Sequence, residues 1–195
     1  MSYQDALHYT TDRLSGFERL RVDPDQTSFW EGREFRTFKE LNIAASAEYV
    51  VKAVVPINII LVKLEVSIES GFVRVGTYAA GTAGGSFSET LPIFNANNMS
   101  AGNDHRRNYS GNVYTAQTVL TAGGTHTGGT ELDVIRLKTA SVTVQAQSVG
   151  LSSFDQRGVS ANTYYFRLLN LSSQDAVTGT FKTRWEERAS GFFQT

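Results

Sequence analysis

The clearest alternation of apolar and polar positions lies in Ile57 to Ser70, INIILVKLEVSIES. Ile60, Val62, Leu64, Val66 and Ile68 fall on one parity, and Lys63, Glu65, Ser67 and Glu69 on the other. Successive side chains of a strand point to opposite faces, so this period of two predicts a half-buried strand and leaves little room for a helix. Tyr49 to Val55 (YVVKAVV) predicts another strand just before it, and Pro56 between them marks a bend, bulge or edge because it cannot donate to a ladder. Near the C-terminus, Ala161 to Glu187 reads as two strands and a loop, taken together as an antiparallel hairpin around which the rest closes. In its first strand Tyr164, Phe166 and Leu168 share a face, and in its second Phe181, Thr183 and Trp185 do. That parity makes Trp185 a core residue. The opposite parity of the second strand carries Lys182, Arg184 and Glu186, and the intervening SSQDAVTG is rich in turn formers.

Weaker patterns fill the remainder. Glu34 to Ile43 can run as a strand, with Phe35, Leu41 and Ile43 on one parity and Glu34, Arg36, Phe38, Glu40 and Asn42 on the other. A helix over Arg33 to Ala45 competes, but the Phe, Thr and Ile content favours the strand. Phe72 to Thr77, Asn112 to Thr121, Leu132 to Thr139 and Ser141 to Val149 predict further strands, with a short one within Ser86 to Phe94. The glycine-rich AAGTAGG and AGGTHTGGTE and the long NANNMSAGNDHRRNYSG predict loops. Residues 1–30 show no clean period. A short helix around Tyr3 to Leu14 and an extended arm lying on a neighbour are both open readings, with an ordinary edge strand plus loops as the plain alternative. Roughly eight to ten strands with Gly, Ser and Asn loops and no βαβ rhythm predict an all-β fold. Its form is a two-sheet antiparallel sandwich, jelly-roll-like. The expected organisation is an N-terminal arm or edge segment over 1–30, a sandwich domain over 31–188 and a tail over 189–195.

Composition narrows the function classes. The 195 residues include 12 Phe, 8 Tyr and 2 Trp, enough aromatic mass for a real core. Only 19% are charged, below the usual quarter or so, which leaves a surface of Ser, Thr, Asn, Gln and Gly. Such a surface suits a protein packed against copies of itself or other chains. A net charge of −1, with Arg106-Arg107 as the only basic doublet, argues against nucleic-acid binding. The absence of cysteine removes disulfides, thiolate zinc sites and cysteine nucleophiles. The N-terminus has no apolar signal region, and the longest apolar run, Ala53 to Val62, is broken by Pro56 and Asn58, so no membrane span is expected.

No catalytic constellation is visible. His8, His105 and His126 lack i, i+4 spacing, Asp104-His105 is too little for a metal site, and Asp23-x-Asp25 lacks the Gly and Glu of a calcium loop. There is no GxSxG elbow. A glycosidase needs two facing carboxylates; Glu186 and Glu187 lie on opposite strand faces, and Glu31 with Glu34 is a pair on paper only. The expectation is a non-enzyme with no cofactor and no metal. Tyr109, Tyr114, Trp30 and Trp185 could line a sugar-stacking platform, which keeps a carbohydrate-binding module as an alternative.

Three segments, FWEGREFRTFKEL (Phe29 to Leu41), ANTYYFRLLNLS (Ala161 to Ser172) and TGTFKTRWEE (Thr178 to Glu187), resemble in order and spacing small all-β virion proteins of tailed bacteriophages, of the capsid decoration (cement) or head-fibre kind. The resemblance runs from about residue 29 to 188 and carries no active-site residues. It implies a jelly-roll-like body, a homotrimer in preference to other oligomers, bound to the major capsid protein on the outer shell of a virion assembled in the host cytoplasm. A tail, neck or fibre-base component is the alternative location. In such a protein the charges clustered on two segments become interface candidates: Phe29, Trp30, Glu31, Arg33, Glu34 and Arg36 on one, and Arg184, Glu186, Glu187 and Arg188 on the other. The two segments are expected to meet, within one subunit or between two.

Overall fold

The computed structural model describes residues 8–11, 18–21, 32–96, 115–139, 147–150 and 157–187, and all of their helical or extended structure is β-strand. The strands are β1 (His8–Thr11), β2 (Glu18–Arg21), β3 (Glu34–Ile43), β4 (Glu48–Val55), β5 (Ile59–Ser70) and β6 (Phe72–Ala79). Next come the short β7 (Thr82–Gly84), β8 (Glu89–Thr90), β9 (Phe94–Asn95), β10 (Val119–Ala122) and β11 (Thr125–Thr127). Then follow β12 (Thr130–Lys138), β13 (Gln147–Gly150), β14 (Arg157–Val159), β15 (Asn162–Asn170) and β16 (Val177–Glu187). One sheet has the order β12-β6-β15-β4-β10-β8, and the other β13-β5-β16-β3-β9 with β14 also on β5. Every pairing is antiparallel.

Taking β3, β4, β5, β6, β12, β13, β15 and β16 as strands 1 to 8, the two sheets read 1-8-3-6 and 2-7-4-5. That is the double Greek key of a jelly roll, in which consecutive strands cross from one sheet to the other except for strands 4 and 5, which pair side by side. The all-β sandwich expected from the periodicity is therefore the observed fold. The strand over Glu34–Ile43 is present and the competing helix is not.

The reading of Ala161 to Glu187 as a hairpin is corrected. β15 pairs β4 and β6, whereas β16 pairs β3 and β5; the two are not hydrogen-bonded to each other. They form an arch, each taking a central place in a different sheet. The parity was right, since Tyr164, Phe166 and Leu168 on β15 and Phe181 and Trp185 on β16 are buried in one shared core. Phe166 and Phe181 meet across the gap with ring centroids 5.5 Å apart. An apolar face on each of two successive strands fits a hairpin and an arch equally well; the choice lies in the loop. Here the buried Asn170 makes it. Its amide donates to the carbonyls of Ile43 and Ala44 at 3.0 Å each and of Asp175 at 2.8 Å, and its Oδ1 accepts the Ser172 N–H at 2.8 Å. A single side chain thereby holds the arch against the β3–β4 crossing, satisfying backbone groups that neither sheet can reach. Gly71 (φ +91°) makes the neighbouring crossing from β5 to β6, in a region of backbone space open mainly to glycine.

A second correction concerns β5. The expected apolar face from Ile60 to Ile68 holds only for Leu64, Val66 and Ile68, which are buried. Opposite β16 the register slips between Arg184↔Lys63 and Trp185↔Leu61, leaving Val62 as the extra residue of a bulge. One extra residue reverses which face each following side chain takes. Ile59, not Ile60, therefore joins the core. A matching slip lies between Thr178↔Ser70 and Gly179↔Ile68. There a Cβ on Gly179 would lie 2.1 Å from the Ser67 carbonyl oxygen.

The N-terminal readings change in part. β1 and β2 pair with each other as a separate two-stranded ribbon, so His8–Thr11 is strand and not helix. Its His-Tyr-Thr-Thr composition favours extension. The rest of the 1–30 arm and the 189–195 tail lie outside the described residues. So do most of the long loop, including Tyr109, and the first parts of the strands expected over Asn112 to Thr121, including Tyr114, and over Ser141 to Val149.

The close approach at Gly179 predicts that Gly179→Ala loses about 1–3 kcal/mol, the usual cost of forcing extra volume into a packed sheet. Gly158→Ala, whose Cβ would meet nothing within 4 Å, should stay within about 0.5 kcal/mol of the parent. Urea unfolding of the two variants checks this; equal stabilities would remove the role given to the bulge.

Candidate interaction surface

The outer face of the β5–β16–β3 sheet collects four of the charges singled out from the sequence, Glu34, Arg36, Arg184 and Glu186. The register sets Arg184 opposite both Lys63 and Arg36, and Glu186 opposite Glu34. Three cations abreast would repel one another, and like charges directly opposite destabilise a sheet. Two of them are neutralised. Arg184 grips the buried Glu34 with both arms of its guanidinium, Nε to Oε1 at 2.6 Å and Nη2 to Oε2 at 2.8 Å. Lys63 pairs with Glu65 at 2.6 Å. Arg36 is exposed. The two segments expected to meet thus do so inside one chain, as neighbouring strands joined by an ion pair.

Glu187 has a different role. It faces inward with Trp185, and its carboxylate accepts the backbone N–H groups of Gln117 at 2.7 Å and Thr118 at 2.8 Å and the Trp185 indole N–H at 3.1 Å. It ties the end of β16 to the segment leading into β10 of the other sheet, so it is a closure of the sandwich and not part of an outer surface. Glu186 is buried, and Arg33 precedes β3 and is half-buried. Phe29, Trp30, Glu31 and Arg188 lie outside the described residues.

Sequence reasoning missed the most exposed aromatic feature. Phe38 and Phe94 stack at 5.8 Å with planes 11° apart, and are 50% and 42% exposed. Phe94 on β9 lies opposite Arg36 in the register, so the pair sits beside that guanidinium at the sheet edge. The only signal in the sequence was a Phe on the wet parity of β3; its partner is 56 positions later and was unreadable without the fold.

Between β6 and β12, the described residues 80–96 and 115–129 add short strands to both sheets. β8 and β10 extend the first sheet and β9 the second, and the buried Leu91 lies on the run that joins them. Glu89 accepts from Lys39 of the second sheet and from the Tyr49 hydroxyl of the first, the latter at 2.8 Å. Lys39 holds the Glu89 carboxyl below its ordinary range, and burial, reinforced by the Glu89 charge, pushes the Tyr49 phenol well above its own. The β7–β11 ribbon lies over the outside of the first sheet, where His126 is buried with its ring 4.2 Å from that of Tyr165 and its Nε2 3.0 Å from the Ala80 carbonyl.

The candidates for chemistry are dispersed. Glu34 is held by Arg184, Trp185 is 2% exposed in the core and cannot stack on a sugar, and Trp30, Tyr109, Tyr114, His105 and Glu31 lie outside the described residues. Among the described residues no cluster of three His, Cys, Asp or Glu side chains could hold a metal, and no helix is long and apolar enough to cross a membrane. Comparisons of the chain with family models, curated proteins and solved structures find no match.

Replacing Arg184 by Met leaves a buried carboxylate with fewer donors. The expected loss is about 1–3 kcal/mol, and Glu34→Gln in the same chain should recover part of it. Denaturant midpoints of the single and double variants read this directly. The pH dependence has a definite sign at Tyr49. The folded state favours the neutral phenol, so the stabilisation is complete below the ordinary value of 10.0 and is lost as pH rises beyond it. Tyr49→Phe should therefore flatten the alkaline limb of melting temperature against pH, and an unchanged limb would show that the phenol is not responsible.

Proposed function

We propose that this chain is a non-enzymatic structural protein of a virion, a capsid decoration (cement) protein that binds the outer head shell as a homo-oligomer, a trimer in preference to others. The observation that supports this most directly is the exposed Phe38–Phe94 stack with Arg36 beside it on the β3–β9 edge. Aromatic residues and arginine are the side chains enriched at the centre of protein interfaces. Other apolar side chains stand exposed on the first sheet, Val54 opposite Val119, and Val134 on its edge strand β12. A body with apolar ground on more than one side suits a protein that touches both copies of itself and a shell. The jelly-roll fold and the resemblance of Phe29 to Leu41, Ala161 to Ser172 and Thr178 to Glu187 to phage virion proteins point the same way.

Such a protein works by binding area alone. Whatever it binds in the assembled state it stabilises by mass action, so it requires neither a cleft nor a cofactor. Interface roles for Phe29, Trp30, Glu31, Arg33, Arg36 and Arg188 belong to this proposal; Glu34, Arg184 and Glu187 act chiefly within the chain.

The test mixes purified protein with undecorated capsids and follows their melting. Saturable binding and a rise in capsid melting temperature are expected. Phe38→Ser with Phe94→Ser should weaken binding roughly 30-fold, as removal of about 2 kcal/mol of hot-spot contact would, without unfolding the protein. No binding and no rise count against the proposal, and a copy number per particle matching the neck rather than the shell moves the protein to the tail or neck.

A further inference from the structure

The sandwich is not filled to its end. Between the sheets, at the end away from Asn170, lies a cavity of about 320 Å³. Its origin can be traced. The Val62 bulge shifts Leu61 to its wall, and a slip between Glu131 and Asp133 on β12 sets Leu132, half exposed, at its mouth. Two bulges thus leave space that the core does not occupy.

The lining defines what would fit. Its walls are mainly aliphatic and aromatic, with Val55, Leu120, Phe166 and Trp185 among them, and among the described residues no charged side chain takes part. A largely apolar cavity open on one side takes small apolar molecules, and about 30 Å³ per water-sized group gives room for roughly ten heavy atoms. That is at the small end of ligand pockets, which start near 300 Å³. Two of the lining hydroxyls are already used inside the chain, Thr183 donating to the Lys63 carbonyl at 3.1 Å and Tyr164 to the Ser160 carbonyl at 2.9 Å. Thr118 lines the cavity, is 3% exposed, and among the described residues its Oγ1 has no hydrogen-bond partner. A buried hydroxyl is normally satisfied.

We infer that this cavity is a binding site for a neutral, chain-like apolar molecule of about ten heavy atoms whose single hydroxyl pairs with Thr118. A carboxylate is disfavoured, since among the described residues no cation lines the site to offset its desolvation. The inference is independent of the assembly role, because the cavity lies between the sheets and not on the Phe38–Phe94 edge.

Trp185 supplies the readout. In a Trp30→Phe background it is the only tryptophan left of the 2 in the chain. Titration with 8-bromo-1-octanol should quench its fluorescence saturably through the heavy atom, and unlabelled 1-octanol should reverse the quenching. The anion 8-bromooctanoate should bind at least ten-fold more weakly. Val159→Phe, on the core-facing parity opposite Ile59, should fill the cavity and abolish quenching, with urea unfolding confirming that the variant is folded. Thr118→Val, equal in shape, should weaken the alcohol several-fold while leaving 1-bromooctane unchanged. Quenching that never saturates, or that survives in folded Val159→Phe, overturns the site. Equal affinity of Thr118→Val for the alcohol overturns the hydroxyl contact.

Discussion

The fold depends on β15 and β16 being consecutive in the chain yet central in different sheets. Each strand there is flanked on both sides, so its backbone groups are satisfied by neighbours, and its apolar face has only the other sheet to meet. Phe166 and Phe181 face each other for that reason. Two polar residues near the ends of the arch hold the geometry: Asn170 against the β3–β4 crossing, and Glu187 against the segment entering β10. Both are buried and hydrogen-bonded, the condition under which a buried polar group specifies a structure instead of merely costing energy.

From that constraint the division of labour between the faces follows. With the inner faces committed to the core, interaction must use the outer faces and edges. On the outer face of the second sheet Arg36 is exposed while Glu34 and Glu186 are buried, and two of the three abreast cations have a carboxylate. The first sheet is covered in part by the β7–β11 ribbon, with His126 and Phe87 packed on Tyr165. The open edge of β3 is where the aromatic pair emerges.

The same strands explain the cavity. Bulges in β5 and β12 let each strand bend and twist, which a closed sandwich requires, but they also redirect side chains near one end. Core packing is therefore tight around Phe181 and open beyond Trp185. A protein can tolerate such a gap when the rest of the core is dense, and the gap then becomes a place for a ligand.

Much of the strand content was legible in the sequence, because period-two alternation depends only on neighbouring residues. The inward parity of Phe35, Leu41, Ile43, Phe166, Phe181 and Trp185 and the sandwich class came from that local rule. The choice between hairpin and arch for Ala161 to Glu187 did not, since identical parity serves both and the deciding contacts of Asn170 reach back 127 and 126 positions to Ile43 and Ala44. The failure at Ile60 and Val62 has the same cause: a bulge is a relation between two strands, and a single strand's pattern does not contain it. Of the charged residues, the sequence determined that Glu34, Arg36, Arg184 and Glu186 share an outer parity. Only the tertiary structure decided that Glu34 and Arg184 neutralise each other, that Glu187 turns inward, and that Phe38 finds Phe94 beside Arg36, because register, unlike periodicity, is set by which strands pair.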